Sequence, residues 1–210
     1  MILPTKDLER KFIKSGYDFV IGVDEVGVGC LAGPVVVCAI SFSAKFYNTS
    51  HNKFQGLKES KLLSPTQREK FMTKLVGQKY KIGICYPKKI DAINIYQATR
   101  TAMRRAIKKL TTNNLQLMTK TIILVDGNKK IEKLEFDQQA IVKGDQKIFA
   151  IACASIIAKV YRDRMMKRYA KRFPAYGFEQ HKGYSTKVHQ EKLNLLGPCP
   201  IHRRSFRLKY

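Results

Sequence analysis

Two carboxylates stand side by side at Asp24 and Glu25, inside the run Ile21-Gly22-Val23-Asp24-Glu25-Val26-Gly27-Val28-Gly29-Cys30-Leu31-Ala32-Gly33-Pro34. Adjacent like charges are costly unless a cation lies beside or between them. A divalent metal would meet that need, and so would screening by nearby lysines. Two further acids follow apolar runs. Asp126 closes Thr121-Ile122-Ile123-Leu124-Val125 and precedes Gly127, and Asp145 comes just after Ala140-Ile141-Val142. Acids at the carboxyl ends of neighbouring strands converge on one edge of an α/β sheet, where ligands bind. Oxygen-only ligands suit Mg²⁺ or Mn²⁺ rather than zinc. A pair of such ions about 3.5–4 Å apart is a standard device for in-line displacement at a phosphodiester. Each acid also fits a plainer role: Asp145 as a helix cap, Asp126-Gly127 as a turn, Glu25 as a solvated side chain.

The elements that must position these acids read clearly. A short amphipathic helix over residues 5–15 precedes two β-branched runs, Phe19 to Val23 and Pro34 to Ile40, which form a hairpin around the acids and glycines. Residues 43–60 are polar and read as a loop. Ser64-Pro65-Thr66-Gln67 is a helix start with a capping box. A third strand, Lys81 to Tyr86, is closed by Pro87, and a long helix spans Asp91 to Leu110 with Ile93, Ala98, Ala102, Met103, Ala106 and Leu110 on its buried side. A second long helix runs from Ile148 to Arg172. Its first half is apolar nearly all round and must be buried; its second half is basic. Strands first, then alternating helix and strand, predict an α/β fold with a mixed sheet covered by helices.

Forty Lys+Arg against 16 Asp+Glu give a net charge of +24, which favours a nucleic-acid partner. A genome biased toward lysine codons would inflate the same number. No run of eighteen apolar residues marks a membrane span, and Met1 to Asp7 lacks the pattern of a signal peptide. Cys30, Cys38, Cys85 and Cys153 lie in apolar segments, as in a reduced cytoplasmic protein, with no disulfide frame.

Taken together, the ordered motifs resemble the ribonuclease HII family. They are Asp24-Glu25-Val26-Gly27, Leu31-Ala32-Gly33-Pro34-Val35, Ser60-Lys61, Ile90-Asp91 with Asn94-Ile95, the run from Ala98 to Ala106, and Val125-Asp126-Gly127. Further along come Lys143-Gly144-Asp145, the run from Ala154 to Asp163, Tyr176-Gly177-Phe178, His181-Lys182-Gly183-Tyr184, Gly197-Pro198 and Ile201-His202-Arg203. The resemblance implies a ribonuclease H-like fold: a catalytic domain over residues 1–172 and a small C-terminal helical lobe over 173–210 packed on it. It implies a monomeric endoribonuclease that cuts RNA paired with DNA, and ribonucleotides embedded in duplex DNA as in ribonucleotide excision repair, leaving 5′-phosphate and 3′-hydroxyl ends. It implies two Mg²⁺ or Mn²⁺ ions held by Asp24, Glu25, Asp126 and Asp145. Asp163, a rival fourth acid, lies mid-helix between Arg162 and Arg164 and reads better as an ion-pair partner.

Substrate contacts implied by the resemblance are Gly27, Val28, Gly29, Lys61, Asn94 and Tyr184. In the family a Gly-Arg-Gly loop and a tyrosine read the 2′-hydroxyl. Here Val28 stands in place of the arginine, Glu59 replaces an aspartate and Ser185 a glycine. The glycines still allow close backbone approach, while a cation near a phosphate is lost. Val28 therefore keeps open a weakened or inactive hybrid-binding protein as the alternative. The basic residues Lys167, Arg168, Lys171 and Arg172 offer a grip on the duplex backbone or simply a solvated face.

Overall fold

The apolar runs flanking Asp24 form the centre of a five-stranded sheet. A computed structural model describes residues 3–49, 54–112, 114–118 and 120–206. In it β1 (Phe19–Val26) and β2 (Val35–Ser43) pair antiparallel, and β3 (Lys79–Cys85) extends the sheet antiparallel on β2. On the other side, β4 (Thr121–Asp126) runs parallel to β1, and β5 (Asp137–Ile141) parallel to β4. The order is β3-β2-β1-β4-β5, the mixed sheet that the pattern predicts. The register pairs Val23 with Val125, so the next residues, Asp24 and Asp126, leave neighbouring parallel strands at the same edge.

Two helices cover the two faces. α4 (Pro87–Thr112) packs Ala102, Ala106 and Leu110 against Ile21, Val23 and Val125. α6 (Phe149–Arg172) packs Ile151, Ala154 and Ala158 into the layer holding Val20, Ile40 and Leu124, and every residue from Phe149 to Ala158 is buried. That burial explains why its first half needs no polar face. α6 comes within backbone contact of β1 at Gly22, where an added Cβ would stand 2.3 Å from the Ala150 carbonyl carbon. Gly22→Ala is expected to lower stability by about 1–3 kcal/mol through overpacking; urea unfolding measures it.

α6 is also fixed at its start. Glu9, on α1 (Asp7–Lys14), is fully buried and accepts a hydrogen bond from the Ala150 N–H at 3.0 Å. Burial pushes its carboxyl up to about 7. α3 (Pro65–Lys74) has the expected capping box, with Gln67 N–H donating to Ser64 Oγ and Ser64 N–H to Gln67 Oε1.

Several boundaries differ from the expectation. The segment read as a loop over 43–60 contains α2 (Ala44–Asn48), whose Phe46 and Tyr47 bury against Phe42 and Phe149, and it runs into a 3-10 turn at Ser60–Leu62; residues 50–53 lie outside the described residues. β5 begins at Asp137, three residues before the apolar run, because it is an edge strand with polar residues in the ladder. α4 begins at Pro87 and is interrupted at Asn94, whose φ of 61° and ψ of 165° are not helical. After α6 come a 3-10 turn (Pro174–Tyr176), α7 (Phe178–His181) and α8 (Lys187–Leu196), packed around Ala32, Met166, Phe178 and Ile201. Residues 207–210 of the expected C-terminal lobe lie outside the described residues.

Candidate active site

Asp24, Glu25, Asp126 and Asp145 line one cleft of about 270 Å³ at the carboxyl edge of β1 and β4. The glycine loop after β1, Lys61 and Tyr184 line it too. Thus the structure brings together every residue expected at the site except Asn94. That side chain turns back to accept from the Gln97 N–H at 3.0 Å, restarting α4 after the break.

Asp24 is 4% exposed. Its Oδ1 accepts from the Glu25 N–H at 2.7 Å. Asp126 is the last residue of β4, and its Oδ1 accepts from the Gly144 N–H at 2.6 Å. This bond ties the end of β4 to α5 (Gly144–Lys147), which carries Asp145 in its first turn. Asp145 therefore lies inside a short helix that leads into α6. It caps neither neighbour, since the cap positions of α5 and α6 are Lys143 and Ile148.

The crowding has an electrostatic signature. Burial first, then the charges of Glu25 and Asp126, hold the Asp24 carboxyl well above the usual carboxylate range, against a hydrogen bond from Ser155. Burial and Asp126 push Glu25 up to about 7, opposed by Arg100. Asp145 is raised by burial, Asp126 and Glu59, opposed by Lys61. Glu25 Oε2 is buried with no hydrogen-bond partner. Among the described residues no three His, Cys, Asp or Glu side chains already form a ready-made cage; the four carboxylates line the cleft. Four hard oxygen donors, mutually repelling, with one buried oxygen unpaired, fit hydrated divalent cations such as Mg²⁺ or Mn²⁺.

Ser60, Ser155 and Lys159 also line the cleft and were missed by the sequence reading. Ser60 Oγ and Ser155 Oγ are 2.9 Å apart. Lys159 pairs with Asp163 at 2.8 Å, and its ammonium is 5.6 Å from the centre of the Tyr184 ring. Asp163 also meets Arg68 at 3.5 Å, the ion-pair role expected for it. Ser155 and Lys159 are one helical turn apart, and a serine on so apolar a helix was the available signal. Glu59 accepts from Gln146 Nε2 at 2.9 Å and pairs with Lys61 at 3.5 Å, so the substituted residue links the Lys61 rim to α5.

The family profile of ribonuclease HII matches residues 21–209, which hold every residue lining the cleft. The chain belongs to the ribonuclease HII family. It is 44% identical over 202 residues to a ribonuclease HII of Caldicellulosiruptor bescii, covering 95% of this chain and 92% of that one. The crystal structure of ribonuclease H2 from Pyrococcus horikoshii OT3 superposes with a TM-score of 0.73 at 28% identity, covering 90% of this chain and 94% of that one. Bst-RNase HIII, solved in complex with Mn²⁺, shares the fold with a TM-score of 0.64 at 17% identity, over 93% of this chain and 69% of that one. As a ribonuclease HII, the chain is an endoribonuclease of the ribonuclease H type, a hydrolase acting on RNA–DNA hybrids. Among the described residues, no helix is long and apolar enough to cross a membrane.

Proposed function

We propose that this ribonuclease HII cleaves both RNA–DNA hybrids and single ribonucleotides embedded in duplex DNA, by two-metal hydrolysis leaving 5′-phosphate and 3′-hydroxyl ends. The observation that carries the reading is the cleft itself, where Asp24, Glu25, Asp126 and Asp145 meet a glycine loop and Tyr184. Two divalent ions held by the four carboxylates would activate the attacking water and stabilise the leaving 3′-oxygen. The chain's own residues do the rest. Asp24 comes from the central strand β1 and faces the other acids. Ser155, by donating to Asp24, orients that carboxylate. Lys61 and Lys159 offer cations to the phosphates beside the scissile bond.

Reading the ribonucleotide falls to the Gly27-Val28-Gly29 loop and Tyr184. The 2′-hydroxyl both donates and accepts. Among the described residues, Val28 N–H and Gly29 N–H have no acceptor in the chain, so they are available to it. Burial and the neighbouring Cys30 push the Tyr184 phenol up to about 12, so it stays a neutral donor and a ring against the sugar. Exposed Lys167, Arg168, Lys171 and Arg172 on α6 supply sequence-independent grip on the duplex. The protein works in the reducing cytoplasm, a reading supported by its five free cysteines, four of them buried.

The test is cleavage of two substrates, a DNA duplex with one ribonucleotide and a long hybrid, by the native protein and Val28→Arg. Native cleavage of both is expected. Val28 is 37% exposed at the cleft, so the added cation should strengthen binding and steepen its salt dependence by about one unit of slope. Retained binding without cleavage by the native protein would return the hybrid-binding alternative.

A further inference from the structure

We infer that Arg203, itself anchored through Asp91, is a positioning residue that sets the Gly27–Gly33 loop in its ribonucleotide-reading shape. The inference rests on the reading of that loop given above. Arg203 is 3% exposed and makes no contact ion pair among the described residues, the Asp91 carboxylate acting on it only at longer range; its guanidinium is spent on loop carbonyls. Nη2 donates to Gly27 O at 2.6 Å and to Gly33 O at 2.9 Å, Nη1 to Val28 O at 2.8 Å, and Nε to Gly33 O at 3.0 Å. One rigid fork thus holds both ends of the loop. A peptide plane whose carbonyl is fixed inward must aim its N–H the other way. The carbonyls of Gly27 and Val28 lie in the same peptides as Val28 N–H and Gly29 N–H. Those are the two loop N–H groups that find no acceptor among the described residues.

A second buried guanidinium completes the support. Arg162 of α6, fully buried, donates to Ala32 O at 3.0 Å, to Pro34 O at 3.0 Å and to Lys182 O at 2.9 Å. It joins the loop to the turn that carries Tyr184. Gly27 has φ of 94°, and a Cβ there would meet Arg162 Nε at 2.3 Å, so a glycine is required where the cations approach. These two buried cations sit beneath the loop and are poorly screened by solvent, with Asp91 offsetting part of the Arg203 charge. They place positive potential where Val28 has removed a side-chain cation.

Asp91 matters because Arg203 sits in an irregular segment. Asp91 Oδ2 accepts from the Arg204 N–H at 3.1 Å, and Oδ1 accepts from the Ser205 N–H at 3.0 Å and the Ser205 hydroxyl at 2.6 Å. It pins the backbone just after Arg203 from outside the cleft.

Arg203→Lys keeps the charge and loses the fork. It is expected to reduce kcat/KM on a duplex with one ribonucleotide by about 10–100-fold, mostly in kcat, because the scissile phosphate is misplaced. Affinity for the same duplex without a ribonucleotide should stay within about twofold. Asp91→Ala, which leaves Arg203 in place, should show the same pattern at about 3–10-fold. Amide hydrogen exchange should quicken over residues 27–33 in both variants while β1 and β2 stay protected. Should Arg203→Lys fail to fold, Asp91→Ala alone decides. Native kinetics and native loop exchange in a folded variant overturn the inference, and so does an equal loss of cleavage and of all-DNA binding. Absence of cleavage by the native protein would instead count against the proposed function, and loop exchange would still decide the role of Arg203.

Discussion

Asp126→Asn is expected to abolish cleavage and to leave a folded protein that is more stable than the native chain when divalent ions are absent. The substitution keeps an Oδ1 that can accept from Gly144 N–H, so the tie between β4 and α5 survives. It removes the charge that raises the carboxyls of Asp24, Glu25 and Asp145. Relief of that repulsion should add roughly 1–2 kcal/mol in a urea titration with chelator. The activity loss should reach about 10³-fold or more, because a charge needed at the reacting phosphate has gone. A mutant that cuts at a tenth of the native rate or faster would remove Asp126 from the proposed catalytic set. A protein that gains stability by losing one carboxylate would show that these acids are held together against their own repulsion for function.

The second large effect is a reversal of pH dependence by metal. Glu25 has an ordinary value of 4.5 and about 7 in the fold. Between these values the folded chain binds more protons than the unfolded one, so stability falls as pH rises through the window. Asp24 and Asp145 shift the same way. His189 opposes them: burial lowers it from 6.5 to about 4, so its contribution rises with pH over that range. The carboxylate part is isolated by comparing native protein with Glu25→Gln in chelator, the native curve falling more steeply from pH 5 to 7. Adding Mn²⁺ or Mg²⁺ at 100 times its dissociation constant should then stabilise the native protein by about 2.7 kcal/mol at pH 8. The gain should shrink toward pH 5, where protons compete for the same oxygens. Thermal melts measure both arms; an equal metal response at pH 5 and pH 8 contradicts the assignment.

Much of this arrangement was legible in the chain. Four acids following apolar runs announced a shared sheet edge, and the parallel register of β1 with β4 puts Asp24 and Asp126 level there. The uniformly apolar start of α6 announced a buried helix. What escaped were features whose cause is tertiary. Ser155 and Lys159 sit on a helix whose local pattern shows only burial and then charge; their chemistry depends on which turn faces the cleft. Asn94 matched a family motif, yet its local task is to restart α4 after a break. β5 was placed late because an edge strand of Asp, Gln and Gln lacks the apolar alternation that marks half-buried strands. α2 hid in a polar stretch because two aromatics alone, Phe46 and Tyr47, hold it to the core.

The fork of Arg203 closes on carbonyls 170 and 176 residues earlier in the chain. A ribosome builds the chain from its N-terminus. All five strands and the four cleft acids lie before residue 146, whereas the loop receives its clamp only once residue 203 has been made. Vectorial synthesis therefore orders two capacities in time. A nascent chain can assemble the acidic edge first, with the hinge-like glycines still unconstrained, and the loop can take its proposed ribonucleotide-reading shape only after residue 203 has been made. Because such long-range closure is entropically slow, refolding should show the same sequence, with the sheet protected early and the loop late.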